Sequence, residues 1–486
     1  MTFIGIDLGT SSVKAILADR EGKILNTAVR EYPLSFPRPG WSEQNPSDWW
    51  EGTAAAVREL VSGFDPGEVA GISFGGQMHG LVILDGEDRV IRPAILWNDG
   101  RTAAETRYLN ETVGEEKLAG WTGNIAFAGF TAPKLLWVKN NEPDNFNRIQ
   151  KIMLPKDYLA YRMTGTFCTD YSDASGMLLL DVAHKRWSEE MLDLCGISPC
   201  QLPTLYESFQ VVGTLLPEAA RALGLTTAVK VTAGAGDNAA AAIGTGTVKD
   251  GDCNLSIGTS GTVFIASDSF KLPNNHAIHS FVHANGCYHL MGCMLSAASC
   301  YKWWIDEILR SASYGQEQDA IGELGNNSVL FAPYLMGERT PHNDTQVRGA
   351  FVGLSLGTKR EEMTQAILEG VAFAIRDSVE IARFLGVDIK KTRICGGGAK
   401  SAVWKSIIAN VLRLPVESIE TDEGPALGAA MLAAVGCGVC ASAEELARRA
   451  VKVTSVIYPD EEISNRYDAK YKEFKKLYPA LRDLRA

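Results

Sequence analysis

The sequence predicts an α/β protein of two similar halves, and three observations carry that prediction. Apolar and β-branched runs alternate with segments of helical periodicity, as layered strand-and-helix domains require. A strand, a turn of Gly, Thr and Ser, and a second strand occur once in each half, about 250 residues apart. The chain of 486 residues is long for one domain and comfortable for two.

Taken in order, Phe3-Ile-Gly-Ile6 opens a strand, Asp7-Leu-Gly-Thr-Ser-Ser12 turns, and Val13-Lys-Ala-Ile-Leu17 returns. Asp19-Arg-Glu-Gly22 turns again into an apolar run from Ile24. A helix begins at Ser47-Asp-Trp-Trp50, with Ser47 as the expected N-cap. Val69-Ala-Gly-Ile-Ser73 is a strand that feeds Gln77-Met-His-Gly80. Val229-Lys-Val-Thr-Ala233 is another, followed by Gly234-Ala-Gly-Asp-Asn238 and an alanine-rich helix from Ala239. Glycines at 244, 246 and 251 mark a boundary between residues 243 and 250, giving domains 1–245 and 246–486. Leu255-Ser-Ile257, Gly258-Thr-Ser-Gly261 and Thr262-Val-Phe-Ile265 then repeat the opening theme. Residues 361–384 carry Met363, Ile367, Val371, Ile375 and Val379 on one helical stripe. Thr392-Arg-Ile394, Cys395-Gly-Gly-Gly-Ala399 and a helix from near Ser401 form a strand–turn–helix. The small-apolar run 426–441 reads as a helix buried between layers.

A net charge of −11 argues against nucleic-acid binding, which needs a basic face. The small-apolar run is too short to span a bilayer, and Met1-Thr-Phe-Ile-Gly has no basic leader region. The ten cysteines are scattered, and Cys437-Gly-Val-Cys440 has no second pair to complete a zinc site. His276, His279, His283 and His289 crowd one segment, but no acidic partners build an i, i+4 ligand face with them. Reduced thiols in a cytoplasmic protein without a resident zinc are the expectation.

The turns carry the chemistry. Gly9 and three hydroxyls in the first tip, and Gly258-Thr-Ser-Gly261 in the second, offer backbone N–H groups and hydroxyls to phosphate oxygens. Asp7, just before the first tip, is placed to hold a hydrated Mg²⁺ rather than phosphate itself. Three glycines at 396–398 let a ring or a phosphate lie against bare backbone. Gly234-Ala-Gly-Asp-Asn-Ala239 formally matches the dinucleotide fingerprint, but a carboxylate where pyrophosphate approaches the helix repels it. No P-loop motif occurs. The glycines around Met78-His79 favour contact with a small polyhydroxylated ligand, and Trp97-Asn-Asp-Gly-Arg101 and Lys156-Asp157 add polar groups. For Asp237 the residues alone leave two readings open: a helix cap, or a carboxylate presented to a ligand.

Together these residues resemble the FGGY carbohydrate kinases of the sugar kinase/Hsp70/actin superfamily, over almost the whole chain. Phe130-Thr-Ala-Pro-Lys-Leu-Leu-Trp137 looks like the first family signature, and Gly349-Ala-Phe-Val-Gly-Leu354 with the helix after it looks like the second. The resemblance implies two actin-like, ribonuclease H-like domains flanking a cleft. It implies ATP and Mg²⁺, with Asp237 as catalytic base and Asp7 orienting the metal. Thr10, Lys14, Gly258, Thr259, Gly261, Gly397, Gly398 and Ala399 would serve the nucleotide, and Met78, His79 and Asn238 the sugar. Gln77-Met-His-Gly80, Ser172-Asp-Ala-Ser-Gly176 and Gly337-Glu-Arg-Thr-Pro-His342 are similar to the branch of that family acting on D-xylulose. The alternatives within the resemblance are another ketose or polyol kinase, or a non-catalytic ATP-binding sugar sensor. A small-molecule partner is expected, with neither nucleic acid nor membrane, and a homodimer is left open.

Overall fold

The structure, a computed structural model, describes residues 1–273, 277–311, 313–420 and 423–484. His276 of the histidine group lies outside them. The elements that position the site are β1 (Thr2–Leu8), β2 (Ser12–Asp19), β3 (Ile24–Glu31), α1 (Pro46–Leu60), β4 (Val69–Gly76), α2 (Thr131–Asn141) and α3 (Pro155–Thr164). There follow β5 (Val211–Thr214), β6 (Lys230–Thr232), β7 (Ala235–Gly236), α4 (Asp237–Gly244), β8 (Asp252–Ile257), β9 (Gly261–Ser267), β10 (His279–Val282) and β11 (Tyr288–Met294). The chain continues through α5 (Arg360–Phe384), β12 (Lys391–Cys395), α6 (Ala402–Leu412), β13 (Val416–Ile419), α7 (Gly424–Gly436) and β14 (Val453–Ile457).

Two seven-stranded sheets organise the molecule. The first runs β5-β6-β4-β1-β2-β3, with β7 also pairing β4; the second runs β10-β11-β9-β8-β12-β13-β14. Each is built around an antiparallel hairpin, β1–β2 or β8–β9, whose tip is one of the two Gly/Thr/Ser turns. In each, the first hairpin strand also pairs in parallel with a strand arriving later, β4 for β1 and β12 for β8. The weak internal symmetry of the sequence is therefore a repeated strand topology.

The central strands β1, β2 and β4 are buried on both faces, so they read as near-continuous apolar runs. Ile4, Ile6 and Leu8 face the core that includes Trp49 and Leu60 of α1. Phe3 and Ile16 face the other way, against α4 and α7. At Gly5, α7 lies so close to β1 that an added Cβ would stand 1.9 Å from the Ala426 carbonyl oxygen. Although α7 comes late in the chain, it is thus part of the packing of the first sheet.

Some details differ from expectation. Asn45, not Ser47, is the N-cap of α1, because Pro46 fits the first helical position and Ser47 falls inside the first turn. The C-terminal small-apolar helix stops at Gly436, and Cys437 to Cys440 belong to the turn beyond it. There the Cys437 and Cys440 thiols donate to the carbonyls of Ala70 and Ser442. The remaining three histidines of the group are packed among aromatic rings. His289 stacks on Phe264 at 4.0 Å and His279 on Phe281 at 5.3 Å, while the His283 Nε2 donates to the Thr247 carbonyl at 2.9 Å. Burial holds all three well below the usual imidazole range.

Candidate active site

Two carboxylates emerge from the same edge of the first sheet. β1 and β7 both run parallel to β4, with Asp7 opposite Gly75 and Gly236 opposite Gly76. Asp7 ends one strand and Asp237 follows the other, so about two strand spacings, roughly 10 Å, separate their backbones. The middle strand is bare there by necessity. A Cβ at Gly75 would press on Ala240 at 3.0 Å, and one at Gly76 would clash with Lys156 at 2.7 Å.

Asp237 opens α4 as its first residue, and Gly236 is the N-cap; this corrects the cap reading. Its Oδ1 accepts from the Asn238 backbone N–H at 2.7 Å and from Asn238 Nδ2 at 2.9 Å. Burial pushes the Asp237 carboxyl up to about 6, against those two hydrogen bonds. A carboxylate so raised is a better proton acceptor near neutrality than an ordinary aspartate. Asn238, expected at the sugar, therefore also orients the acid.

Asp7 lies beside a small charge cluster. Lys14, directly across the hairpin, pairs with Glu423 at 2.9 Å. Burial raises Asp7 to about 7; the Asp237 charge adds to it, Lys14 opposes it, and Glu423 adds a smaller share. Three carboxylates against one ammonium leave a surplus of negative charge suited to a divalent cation. Among the described residues no three metal-ligating side chains converge.

The residues expected at the sugar are held by the first signature. His79 has φ +71°, and its carbonyl accepts from Thr131 Oγ1 at 3.1 Å and from Lys134 Nζ at 2.8 Å. Its ring stacks on Phe130 at 4.7 Å, and its Nδ1 donates to the Gly176 carbonyl at 2.7 Å. Burial, reinforced by the Lys134 charge, pushes His79 down to about 3. The imidazole is therefore neutral, and the Nδ1 contact leaves Nε2 as an acceptor. Met78 packs where a Cβ on Gly236 would come within 3.0 Å of its side chain, which brings it next to Asp237. Thr10, at the first hairpin tip, donates to Gln77 Oε1 at 3.3 Å and accepts from Trp97 Nε1 at 2.9 Å.

The second sheet supplies a cavity of about 460 Å³ walled by Thr259, Gly397, Gly398, Tyr301, Gln318 and Trp404, among others. Gly396 has φ +83° and its missing Cβ would lie 2.8 Å from the Ile257 carbonyl oxygen, so only glycine fits that turn. Ser401 caps α6 by accepting from the Trp404 N–H, and donates to Gln318 at 2.6 Å. Gly258, Gly261 and Ala399 do not line this cavity: the first two shape the hairpin tip, and Ala399 packs against the core. A second cavity of about 250 Å³ has Asp237, Asn238 and Gly424 on one side and Phe264, Cys395 and Gly396 on the other. The two cavities meet at the triple-glycine turn.

Some site residues escaped sequence reasoning. Tyr301, Tyr314, Gln318 and Trp404 wall the larger cavity but sit in ordinary helical sequence. Lys156, expected only as a polar group near the site, is entirely buried, 2.7 Å from Asp157 and 2.9 Å from Asp170. Asp170 accepts from Ser172 Oγ at 2.6 Å, and Ser172 Oγ in turn accepts from the Gly236 N–H at 3.1 Å, one residue before Asp237. The sequence signal for these is the Lys156-Asp157 pair and the Ser172-Asp-Ala-Ser-Gly176 motif.

The chain matches the models of the FGGY family of carbohydrate kinases, the N-terminal domain over residues 2–244 and the C-terminal domain over residues 253–437. It is 42% identical to the xylulose kinase of Escherichia coli (strain K12), covering 100% of both chains. It is 40% identical to the xylulose kinase of Bacillus subtilis (strain 168), covering 99% of this chain and 97% of that one. Among solved structures, that of a xyloylose kinase from Brucella ovis superposes with a TM-score of 0.94 at 41% identity, covering 100% of both chains. With the two hairpin sheets and the paired carboxylates, these matches place the chain in the FGGY family of carbohydrate kinases.

Proposed function

We propose that the protein transfers the γ-phosphoryl group of ATP to D-xylulose, giving ADP and D-xylulose 5-phosphate. The observation that carries this reading is Asp237, partly buried, raised and oriented between Met78 on one side and the cavity that reaches Gly396 on the other. The full-length likeness to xylulose kinases supports the choice of sugar.

Asp237 accepts the proton of the sugar's terminal hydroxyl as that oxygen attacks phosphorus, a contribution of roughly 10²–10⁴-fold. Met78 and His79 hold the sugar, the imidazole accepting from a hydroxyl through Nε2. Thr259, Gly397 and Gly398 line the nucleotide, while Thr10 and Lys14 face its phosphates from the opposite hairpin. When bound, Mg²⁺ supplies charge neutralisation to the phosphates, with Asp7 as its protein ligand. Positioning and charge stabilisation carry the rest, since phosphoryl transfer passes through a loose, highly charged transition state.

The division at residues 245 and 246 belongs to the same proposal, supported by one sheet on each side of it. A cytoplasmic setting is supported by ten free cysteines among the described residues and by the need for ATP. No helix among the described residues is long and apolar enough to cross a membrane. The test is ADP release measured across D-xylulose, D-ribulose, D-gluconate and pentitols. D-Xylulose is expected to give the highest kcat/KM; no stimulation by it above the ATPase background would overturn the reading.

A further inference from the structure

Gly337-Glu-Arg-Thr-Pro-His342 is carried by the C-terminal half, yet it reaches the sugar side. Thr340 anchors it to β11: its N–H donates to the Cys293 carbonyl at 2.9 Å, and its Oγ1 accepts from the Cys293 N–H at 3.0 Å. Glu338 turns its carboxylate back onto the loop, its Oε1 accepting from the Leu295 N–H at 3.1 Å and the Arg339 N–H at 2.8 Å. Glu338 makes no ion pair with the Arg339 guanidinium. The guanidinium lies over the Phe127 ring at 5.2 Å and next to the Cys293 sulfur, and among the described residues no carboxylate comes within ion-pair distance of it.

Phe127 belongs to the His79 cluster: its ring is 5.3 Å from Phe130, which stacks on His79. The Arg339 charge is felt there, helping to keep His79 and His279 unprotonated. Among the described residues it makes no ion pair, whereas the other cations near this cluster have partners of their own. Lys134 is committed to the carbonyls of His79 and Gly129, Lys156 to Asp157 and Asp170, and Arg101 to Asp99 and Glu43.

Of the N-terminal-half groups assigned to the sugar, Asp237 and the His79 Nε2 are acceptors, while Asn238 spends one of its two amide N–H groups on Asp237. Hydroxyls satisfy acceptors by donating to them. A ketose carbonyl only accepts, so it needs a donor that those two groups do not provide.

We propose that Arg339 donates to the carbonyl oxygen of the bound ketose from across the cleft, and thereby selects ketoses over the polyols that share their hydroxyls. This rests on the proposed sugar-kinase reading. Sites that hydrogen-bond a specific group discriminate strongly against analogues that lack it.

The test compares wild type with Arg339→Met, which keeps packing over Phe127, and Arg339→Lys, which keeps a donor. kcat/KM is measured for D-xylulose, xylitol and D-arabitol, with KM for ATP and the melting temperature alongside. For Arg339→Met, kcat/KM for D-xylulose should fall at least about tenfold, the usual effect of losing a charge-assisted hydrogen bond. Turnover of the pentitols, KM for ATP and melting temperature should hold, and Arg339→Lys should recover part of the loss. An unchanged kcat/KM for D-xylulose overturns the assignment; so does an equal loss for ketose, pentitols and ATP, which would mark a structural clamp. Wild type that ignores D-xylulose but phosphorylates another sugar refutes the substrate reading instead.

Discussion

At the scale of single residues, the site works by setting neighbouring charges in different surroundings. In the proposed reaction Asp237 must be ionised to accept a proton, and its raised value near 6 places the switch inside the accessible pH range. Activity with D-xylulose should therefore be full above pH 7 and drop by about tenfold at pH 5, as the base becomes protonated. Asp237→Ala should keep sugar and nucleotide binding, lose roughly 10²–10⁴-fold in kcat and lose that acid limb; steady-state kinetics with binding calorimetry checks all three. Behind the base, Lys156 is a positioning residue. Burial opposes its charge, but Asp157, Asp170 and Asp173 outweigh that and push it above the ordinary lysine value. Lys156→Met would strand buried carboxylates, with a destabilisation of about 3–5 kcal/mol read by denaturant unfolding. The milder Ser172→Ala removes the acceptor of the Gly236 N–H; it should lower kcat with little change in either KM, whereas a purely structural role would leave kcat alone.

At the scale of elements, α4 and α7 cross closely against the first sheet. Their crossing is made of glycine and alanine. A Cβ on Gly428 would stand 1.8 Å from the Ala240 carbonyl oxygen, and one on Gly244 would stand 2.0 Å from that of Gly424. Both helices begin at the site, α4 with Asp237 and α7 just after Glu423, so widening the crossing separates the base from the Lys14–Glu423 pair. Gly428→Val should cost upwards of about 1–3 kcal/mol by overpacking and should reduce kcat at temperatures where the protein is still folded. Thermal denaturation and turnover, measured together, test this; wild-type stability and rate would mean the crossing tolerates expansion. The small-residue run of α7 was legible as a buried helix, but its partners were not, because small residues permit close approach without naming what approaches.

At the scale of the molecule, the residues proposed to hold the sugar follow strands of the first sheet, the larger cavity lies on the second, and the cavity at Asp237 draws on both. Transfer therefore depends on the relative placement of the halves, and closure would exclude the water that competes for the phosphoryl group. Small-angle scattering should show a smaller radius of gyration with D-xylulose and a non-hydrolysable ATP analogue together than with neither. An unchanged radius would mean that the halves are already in their working placement.

Local chemistry by itself determined much of this protein. The two Gly/Thr/Ser hairpins, the strand–Gly-Ala-Gly–helix around Asp237, and the triple-glycine turn could be read directly, because turns, caps and periodicity are properties of neighbouring residues. What only the tertiary structure decided is which distant groups share a space. It bound Lys14 to Glu423 and assigned Ser172 to hold the Gly236 N–H. It also packed the late helix α7 on the first strand and carried Arg339 to the aromatic cluster of the opposite half. Those pairings arise from strand register and helix packing across more than 60 and up to about 420 residues of chain, and no local pattern encodes separations of that length.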